Sequence, residues 1–185
     1  VEGLSIKRLG VTGNSSDKDT WNLLVSGLSN LEYLVCESCQ ISSLATRGLE
    51  RLKEIDASIN QITTLDIDKA EDLDILIIDY NQLDVLDLSR MPSLTELYCS
   101  RNKLVKLDLS PVKHLVKLDC GKNSISNLDL TPVPRLADLS CGRNRISRLD
   151  LTLVPEITEL WCGHNPLKQL DLTPATRLSK LSCAS

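Results

Sequence analysis

The sequence contains no phenylalanine, and its aromatic residues amount to three Tyr and two Trp. A globular core in a chain of 185 residues would ordinarily use several Phe side chains. No run of eighteen apolar residues is present, which argues against a membrane-spanning helix. The net charge of −4 argues against nucleic acid as the main ligand, because phosphate binding favours a basic surface. Hydrophobic residues still make up 42% of the chain, and Leu and Ile suit a core built from thin, repeated layers.

Histidine is also scarce, with only His114 and His164. No Gly-x-Ser-x-Gly, His-Glu-x-x-His, P-loop or dinucleotide-binding fingerprint is present. His164 is expected at the exit of a strand, where a partner could meet it, and His114 is expected in solvent. The chain is therefore predicted not to be an enzyme and to use no cofactor. A catalytic domain elsewhere in a longer parent protein is compatible with this prediction.

A unit of 21 residues repeats along most of the chain, with the pattern L-x-x-L-x-C-x-x-N-x-[LI]-x-x-L-D-[LI]-[ST]-x-[AV]-x-x. We number the positions of this unit from 1 to 21. The clearest copies begin at Leu94, Leu115, Leu136 and Ile157. The phase predicts one domain over 1–185. It consists of a divergent first turn over 1–30, seven repeats over 31–177 and a partial repeat over 178–185.

This pattern resembles the leucine-rich-repeat family, in the 21-residue form common in bacterial proteins. The resemblance implies a right-handed solenoid of the α/β class, mainly β, with a parallel β-sheet on its concave face. Irregular, short 3-10 or short β segments are expected on the convex face. The alternation of Leu97 and Cys99 with polar residues has the period of a strand, which supports the sheet independently. Each turn buries its apolar edges against its neighbours.

Three polar or reactive residue types recur at fixed positions and are interpreted as parts of the scaffold. Asn at position 9 can donate and accept hydrogen bonds at once, so it can satisfy the backbone where the chain turns inward. Asp at position 15 is expected to accept backbone N–H groups in a turn. Calcium binding by these aspartates is the alternative, although the nine-residue Gly-rich calcium motif is absent. The two series are Asn60, Asn81, Asn102, Asn123, Asn144 and Asn165, and Asp66, Asp87, Asp108, Asp129, Asp150 and Asp171.

Cysteine occurs seven times, mostly at position 6. Cysteines stacked in register on parallel strands do not have the geometry of a disulfide, so buried free thiols are predicted. Cys36 and Cys39 form a Cys-x-x-Cys, but the phase places Cys39 at position 9, in place of Asn. No second ligand pair accompanies them, so no zinc or redox site is predicted. The cysteines at position 6 are Cys36, Cys99, Cys120, Cys141, Cys162 and Cys183.

Positions 3, 5, 7 and 8 are predicted to face outward on the concave sheet, where the family usually binds its partners. Two features there predict a protein interface: an apolar and aromatic cluster, and a division of charge. Acidic residues crowd the N-terminal half, and basic residues follow the C-terminal half. Solvated faces of mixed charge are the alternative. The predicted partner-binding residues are Ile75, Ile77, Tyr80, Tyr98, Glu96, Arg101, Lys122, Arg143, Trp161 and His164.

The two ends depart from the repeat. Residues 19–24 are predicted to begin a capping helix, with Asp17 or Asp19 as the N-cap, inside a first turn longer than the others. The last half-repeat would leave Leu178, Leu181 and Cys183 on an open edge. We therefore expect either a longer natural chain or edge-to-edge self-association there.

The sequence thus predicts a non-catalytic module that binds an unidentified protein on the concave face of its sheet. The resemblance implies a bacterial surface, secreted or effector protein, although buried free cysteines also suit the cytoplasm. The recognition arm of a larger enzyme and a carbohydrate or host adhesin are the two alternatives.

Overall fold

The computed structural model describes residues 7–10, 21–24 and 28–184, with the backbone alone described at 21–24. Within these ranges the chain forms short strands and turns and no helix, so none there could span a membrane. The strands are β1 (Arg8–Gly10), β2 (Trp21–Leu24), β3 (Tyr33–Val35), β4 (Ile41–Ala45), β5 (Glu54–Asp56), β6 (Thr64–Asp66), β7 (Ile75–Ile77), β8 (Glu96–Tyr98), β9 (Lys117–Asp119), β10 (Asp138–Ser140), β11 (Glu159–Trp161) and β12 (Lys180–Ser182).

Nine of these strands form one parallel sheet, in the order β1-β3-β5-β7-β8-β9-β10-β11-β12. From β3 onward each strand pairs with the residues 21 positions further along, as Tyr33 does with Glu54. The first step is longer, because Arg8 pairs with Tyr33, 25 residues later. A second parallel sheet contains β2, β4 and β6. The predicted parallel sheet, 21-residue period and long first turn are therefore confirmed, while the hand of the coil remains a prediction.

Each turn sends the same positions into the core. In the turn that begins at Leu94, positions 1, 4, 6, 11, 14, 16 and 19 are all at most 7% exposed. Burying each large apolar side chain contributes roughly 1.5–3 kcal/mol before the loss of entropy is subtracted. The core is therefore a stack of similar layers. In this turn the layer consists of Leu94, Leu97, Cys99, Leu104, Leu107, Leu109 and Val112.

The predicted capping helix is wrong over the residues that the structure describes. Trp21–Leu24 forms β2, which pairs in parallel with β4, with Leu23 opposite Leu44. The edge of β4 offers backbone partners to this segment, and such tertiary pairing overrides a local preference for helix. The proposed N-caps Asp17 and Asp19 lie outside the described residues.

The asparagines at position 9 join consecutive turns through their side-chain amides. The Asn81 amide donates to the carbonyl oxygens of Ala57 in the preceding turn, at 2.9 Å, and of Ile78 and Asp79 in its own turn. Its side-chain oxygen accepts the N–H of Ile62, also in the preceding turn, at 2.9 Å. The same bonds to the preceding turn recur from Asn60 to Asn165, so the predicted structural role is confirmed.

Cys39 takes the place of asparagine in the first of these turns. Its backbone N–H donates to the side-chain oxygen of Asn60 at 2.9 Å. Its thiol donates to the Glu37 carbonyl oxygen, two residues back, at 3.3 Å. The Asn81 amide makes the corresponding bond to Asp79. Cys39 thus occupies the asparagine position, as its phase in the repeat predicts.

The aspartates at position 15 accept backbone hydrogen bonds, as predicted. Asp108 Oδ1 accepts the N–H of Ser110 at 2.9 Å, and four further turns repeat this bond at the same position. Hydrogen bonds from the hydroxyl and N–H of Ser110 lower the pKa of Asp108. Asp66 pairs with Arg47 at 3.1 Å, and Asp150 pairs with Arg148 at 3.4 Å.

Five of the cysteines at position 6 are buried, and four of them, Cys99, Cys120, Cys141 and Cys162, lie side by side in consecutive turns. No disulfide joins any of the seven cysteines. Burial raises the pKa of Cys36 to about 12 and that of Cys162 to about 11. Burial also raises the pKa of Cys99, Cys120 and Cys141 well above the ordinary value. Protonated, buried thiols are poor nucleophiles, so this ladder acts as packing.

We predict that Asn81→Ala lowers the free energy of unfolding by about 3 kcal/mol, because it leaves buried backbone groups without partners. Urea unfolding followed by circular dichroism measures the change. The matched control is Asn127→Ala, since Asn127 is exposed, and its effect should stay below about 0.5 kcal/mol. Equal effects of the two substitutions would contradict the assigned role of the ladder.

Acid should destabilise the solenoid partly through the aspartates at position 15. Their folded-state pKa lies below the unfolded value near 3.9. Their stabilisation is therefore complete above that pH and disappears as the pH falls through the folded pKa. Thermal melts from pH 6 to pH 2 should show a shallower loss for the triple variant Asp108→Asn, Asp129→Asn, Asp171→Asn, because an amide oxygen still accepts the N–H.

The control for this experiment carries Asp→Asn at the exposed Asp68, Asp72 and Asp84. These three residues lie at positions 17, 21 and 12 of the repeat, so none of them occupies position 15, whose carboxylate accepts the N–H in the turn. The control should therefore keep the wild-type pH dependence. An unchanged slope in the first triple variant would show that these turns do not contribute to the acid sensitivity.

Candidate functional site

The exposed face of the nine-stranded sheet ends in a row of protruding residues at position 8. Their backbone adopts the left-handed conformation, with φ between 53° and 57° in seven consecutive turns. The N–H of each one donates to the carbonyl at position 7 of the next turn, as Lys122 does to Gly142 at 2.8 Å. We call this row the position-8 ridge. It consists of Ser38, Ile59, Tyr80, Arg101, Lys122, Arg143 and His164.

The N-terminal part of the ridge is apolar. Ile59 and Tyr80 are each 48% exposed, although large apolar side chains are normally buried. The Arg101 guanidinium lies 4.3 Å from the centre of the Tyr80 ring. This cation–π contact links the apolar part of the ridge to its basic part.

The basic part of the ridge is formed by Arg101, Lys122 and Arg143, one residue in each of three successive turns. All three are exposed, and among the described residues no carboxylate lies within 4.0 Å of their charged groups. Partial desolvation lowers the pKa of Lys122, and repulsion from Arg101 and Arg143 lowers it further. The ridge therefore carries concentrated positive charge that the chain does not neutralise.

The row at position 3, on the other side of the sheet face, contrasts with the ridge because both of its lysines are in ion pairs. Lys117 contacts Glu96 at 2.9 Å, and Lys180 contacts Glu159 at 2.6 Å. The Tyr98 hydroxyl also donates to Glu96, at 2.7 Å. Burial alone would raise the pKa of Glu96, but the bonds from Lys117 and Tyr98 lower it overall. The lysines of this row are therefore neutralised within the chain.

Carboxylates between these two rows accept hydrogen bonds from backbone N–H groups just after the strands end. Asp79 accepts the N–H of Ser100 at 2.5 Å, and Asp119 accepts the N–H of Gly121 at 2.9 Å. Burial raises the pKa of Asp79, and repulsion from Asp119 and Asp56 adds to the increase, although bonds from Ser100 oppose it. These acids therefore have a scaffold role besides the charge they give to the face.

A depression of about 310 Å³ runs beside the basic part of the ridge. Its wall on one side includes Arg101, Lys122, Arg143 and His164, and its lining also includes Asp119, Ser140 and Trp161. Three glycines at position 7 also line it, namely Gly121, Gly142 and Gly163.

The glycines fit this place because the turns lie close together. A Cβ on Gly142 would approach the Gly163 carbonyl oxygen to 3.1 Å, and one on Gly163 would collide with the Ala184 carbonyl. These glycines therefore let the backbones of successive turns pack closely beside the ridge.

A second depression, of about 240 Å³, brings Tyr98 and Trp161 together although they are three turns apart. Lys117, Asp119 and Asp138 also line it. Trp161 is 47% exposed and borders both depressions, whereas Tyr98 is half-buried. The face therefore has an aromatic centre in its C-terminal half.

The structure divides the predicted site residues into separate groups. Arg101, Lys122, Arg143, Trp161 and His164 line the first depression together, and Tyr98 joins Trp161 in the second. Ile75 and Ile77 are half-buried on β7 and line neither. Glu96 is in an ion pair.

The sequence-based site omitted Ile59, which is as exposed as Tyr80. Its place at position 8, one turn before Tyr80, was the available signal. Among the described residues, no group of three His, Cys, Asp or Glu is placed to hold a metal ion.

The fold is closely similar to several bacterial structures. The functional domain of InlJ from Listeria monocytogenes is 30% identical, with a TM-score of 0.72 over 96% of this chain. That domain includes a cysteine ladder. YopM from Yersinia enterocolitica is 28% identical, with a TM-score of 0.79 over 97% of the chain. YopM from Yersinia pestis, described as a leucine-rich effector protein, is 27% identical, with a TM-score of 0.72 over 82% of the chain.

The chain spans 44%, 37% and 42% of the lengths of these three proteins, respectively. No protein-family model matches the sequence, and no curated protein matches it. The likeness therefore comes from solved structures, and it agrees with the 21-residue step between paired strands. On these grounds the chain belongs to the leucine-rich-repeat family, in its bacterial form.

Proposed function

We propose that the chain is a non-catalytic module that binds a protein partner through the exposed face of its nine-stranded sheet. The position-8 ridge and the two adjoining depressions form the contact surface. The likeness to InlJ and to the YopM effector supports a bacterial surface, secreted or effector protein. The recognition arm of a larger enzyme remains the alternative, because the chain spans less than half of these proteins.

The observation that carries this proposal is the exposed apolar part of the ridge. Ile59 and Tyr80 occupy adjacent turns of the ridge, and each leaves about half of its surface in solvent. Aromatic and aliphatic side chains grouped on a rigid surface are the usual centre of a protein interface. The cation–π contact with Arg101 also holds the Tyr80 ring in place before a partner arrives.

Ile59 has a second unfavourable property besides its exposure. Its φ of 55° lies in the left-handed region, where a β-branched residue is strongly disfavoured. Asn and Gly adopt this conformation far more readily. A scaffold role would be better served by either of these, so an exposed isoleucine at this place favours a role in binding.

Replacing Ile59 and Tyr80 together with Ala should weaken capture of the partner while leaving the fold intact. The wild-type chain and the double variant serve as baits, and quantitative mass spectrometry compares the bound proteins. Removing two exposed interface side chains should weaken binding at least about ten-fold. Thermal melts check stability, which exposed positions change little.

The matched control replaces Val85 and Val105 with Ala. These valines are 70% and 54% exposed and lie outside both sheets. Proteins that the wild type and this control enrich, but the Ile59/Tyr80 variant does not, are the partners of the ridge. Identical enrichment by both variants would sink the proposal.

Ile59→Asn should separate stability from binding. Relief of the left-handed strain should exceed the lost contacts of a half-exposed side chain, so we expect the free energy of unfolding to rise by about 0.5–1 kcal/mol. Capture of the partner should fall, because the apolar contact is gone. Denaturant melts and the same capture assay measure the two effects. Val85→Asn is the control, and a lower stability for Ile59→Asn than for this control would contradict the strain argument.

A further inference from the structure

We infer that the basic part of the ridge, with the depression beside it, holds a short acidic segment of the protein partner. This inference rests on the proposed function, because it assigns a chemistry to one part of the same surface. The residues concerned are Arg101, Lys122 and Arg143.

The first argument is the imbalance of charge across the face. The lysines at position 3 are paired with glutamates at 2.9 Å and 2.6 Å. The three cations of the ridge have no such partner among the described residues. A chain with a net charge of −4 has ample carboxylates with which to neutralise them. Their charge is therefore available to an anionic group from outside.

The second argument is spacing. The three residues lie in consecutive turns whose strands pair in register. Adjacent strands are about 4.8 Å apart, so the three positions span about 10 Å. An extended peptide rises about 3.3 Å per residue, so about four consecutive residues span this distance. A short run of Asp or Glu thus matches the row of cations.

The third argument is access. Gly121 and Gly142 hold position 7 in the turns of Lys122 and Arg143, so no side chain there blocks the approach of a peptide, and the small Ser100 holds that position in the turn of Arg101. The ridge continues directly from Arg101 to Tyr80 and Ile59. A segment with acidic residues followed by apolar residues would therefore match both parts of the ridge.

Nucleic acid fits this surface less well than a peptide does. Asp119 lines the first depression, and Glu96 and Asp138 lie across the sheet face from the ridge. A continuous phosphate backbone would meet these carboxylates as well as the three cations, and the net charge of −4 would repel it. A peptide can place its few charges at the ridge alone.

The test is the binding of a fluorescein-labelled decaglutamate peptide to the full chain, followed by fluorescence anisotropy at several salt concentrations. We expect measurable binding that weakens as salt rises, because the contact is electrostatic. The triple variant Arg101→Gln, Lys122→Gln, Arg143→Gln should weaken it at least about ten-fold, since it removes all three charges.

The matched control is Lys106→Gln, Lys113→Gln, Arg135→Gln. All three of its residues are exposed cations outside the sheet face, and the change in net charge is the same. This control should bind the peptide within about two-fold of the wild type. A decaglutamine peptide should not bind. Equal loss in the two triple variants, absence of decaglutamate binding, or tighter binding of oligouridylate than of decaglutamate would each overturn the inference.

These outcomes are independent of the test of the proposed function. If decaglutamate fails to bind while the Ile59/Tyr80 variant still loses its captured partner, the acidic segment is wrong and the ridge remains an interface. If the peptide binds and the Ile59/Tyr80 variant captures the same proteins as its control, the apolar part of the ridge is not the interface. The basic part of the ridge is then a binding site for acidic peptides without the apolar part.

Discussion

The rest of the structure depends on the hydrogen bonds that the asparagine at position 9 makes between consecutive turns. Each strand of the nine-stranded sheet is only three residues long. The chain then turns inward, and its backbone groups in that turn have no partner in the sheet. The Asn81 amide satisfies such groups in two turns at once, and its counterparts do the same along the stack. Because the amide reaches both turns, it fixes their relative position as well as satisfying them. The uniform 21-residue register follows from that constraint.

Much of this could be predicted from the sequence, because the repeat imposes the same environment on equivalent residues. A position occupied by Leu in every turn must face the core, and a lone Asn that recurs among apolar residues must bond to the backbone. Cys39 was interpretable for the same reason, since its phase placed it where Asn60 and Asn81 lie in later turns. The parallel sheet and the long first turn followed from the spacing alone.

The errors arose where the repeat gives no information. Trp21–Leu24 has no equivalent in later turns, so its assignment relied on local preference, and the edge of β4 decided otherwise. Ile59 was undervalued because alternation does not show that position 8 adopts a left-handed backbone and protrudes. Conversely, Glu96 and Ile75 were predicted to contact a partner, although Glu96 is in an ion pair and Ile75 is half-buried. Ion pairing and the degree of burial of a side chain depend on its neighbours in space, and the periodicity of the sequence does not specify these neighbours.

The constant step between strands also defines how this protein can change in length. From β3 onward, removal of one whole 21-residue unit would bring the flanking turns together with every inward position and every asparagine still aligned. Loss of 94–114, for instance, would place Lys122 directly after Tyr80 on the ridge, in a shorter stack with an otherwise unchanged core. The 25-residue first step lacks this interchangeability. The order of side chains along the ridge can thus be rearranged by whole units while the scaffold is conserved.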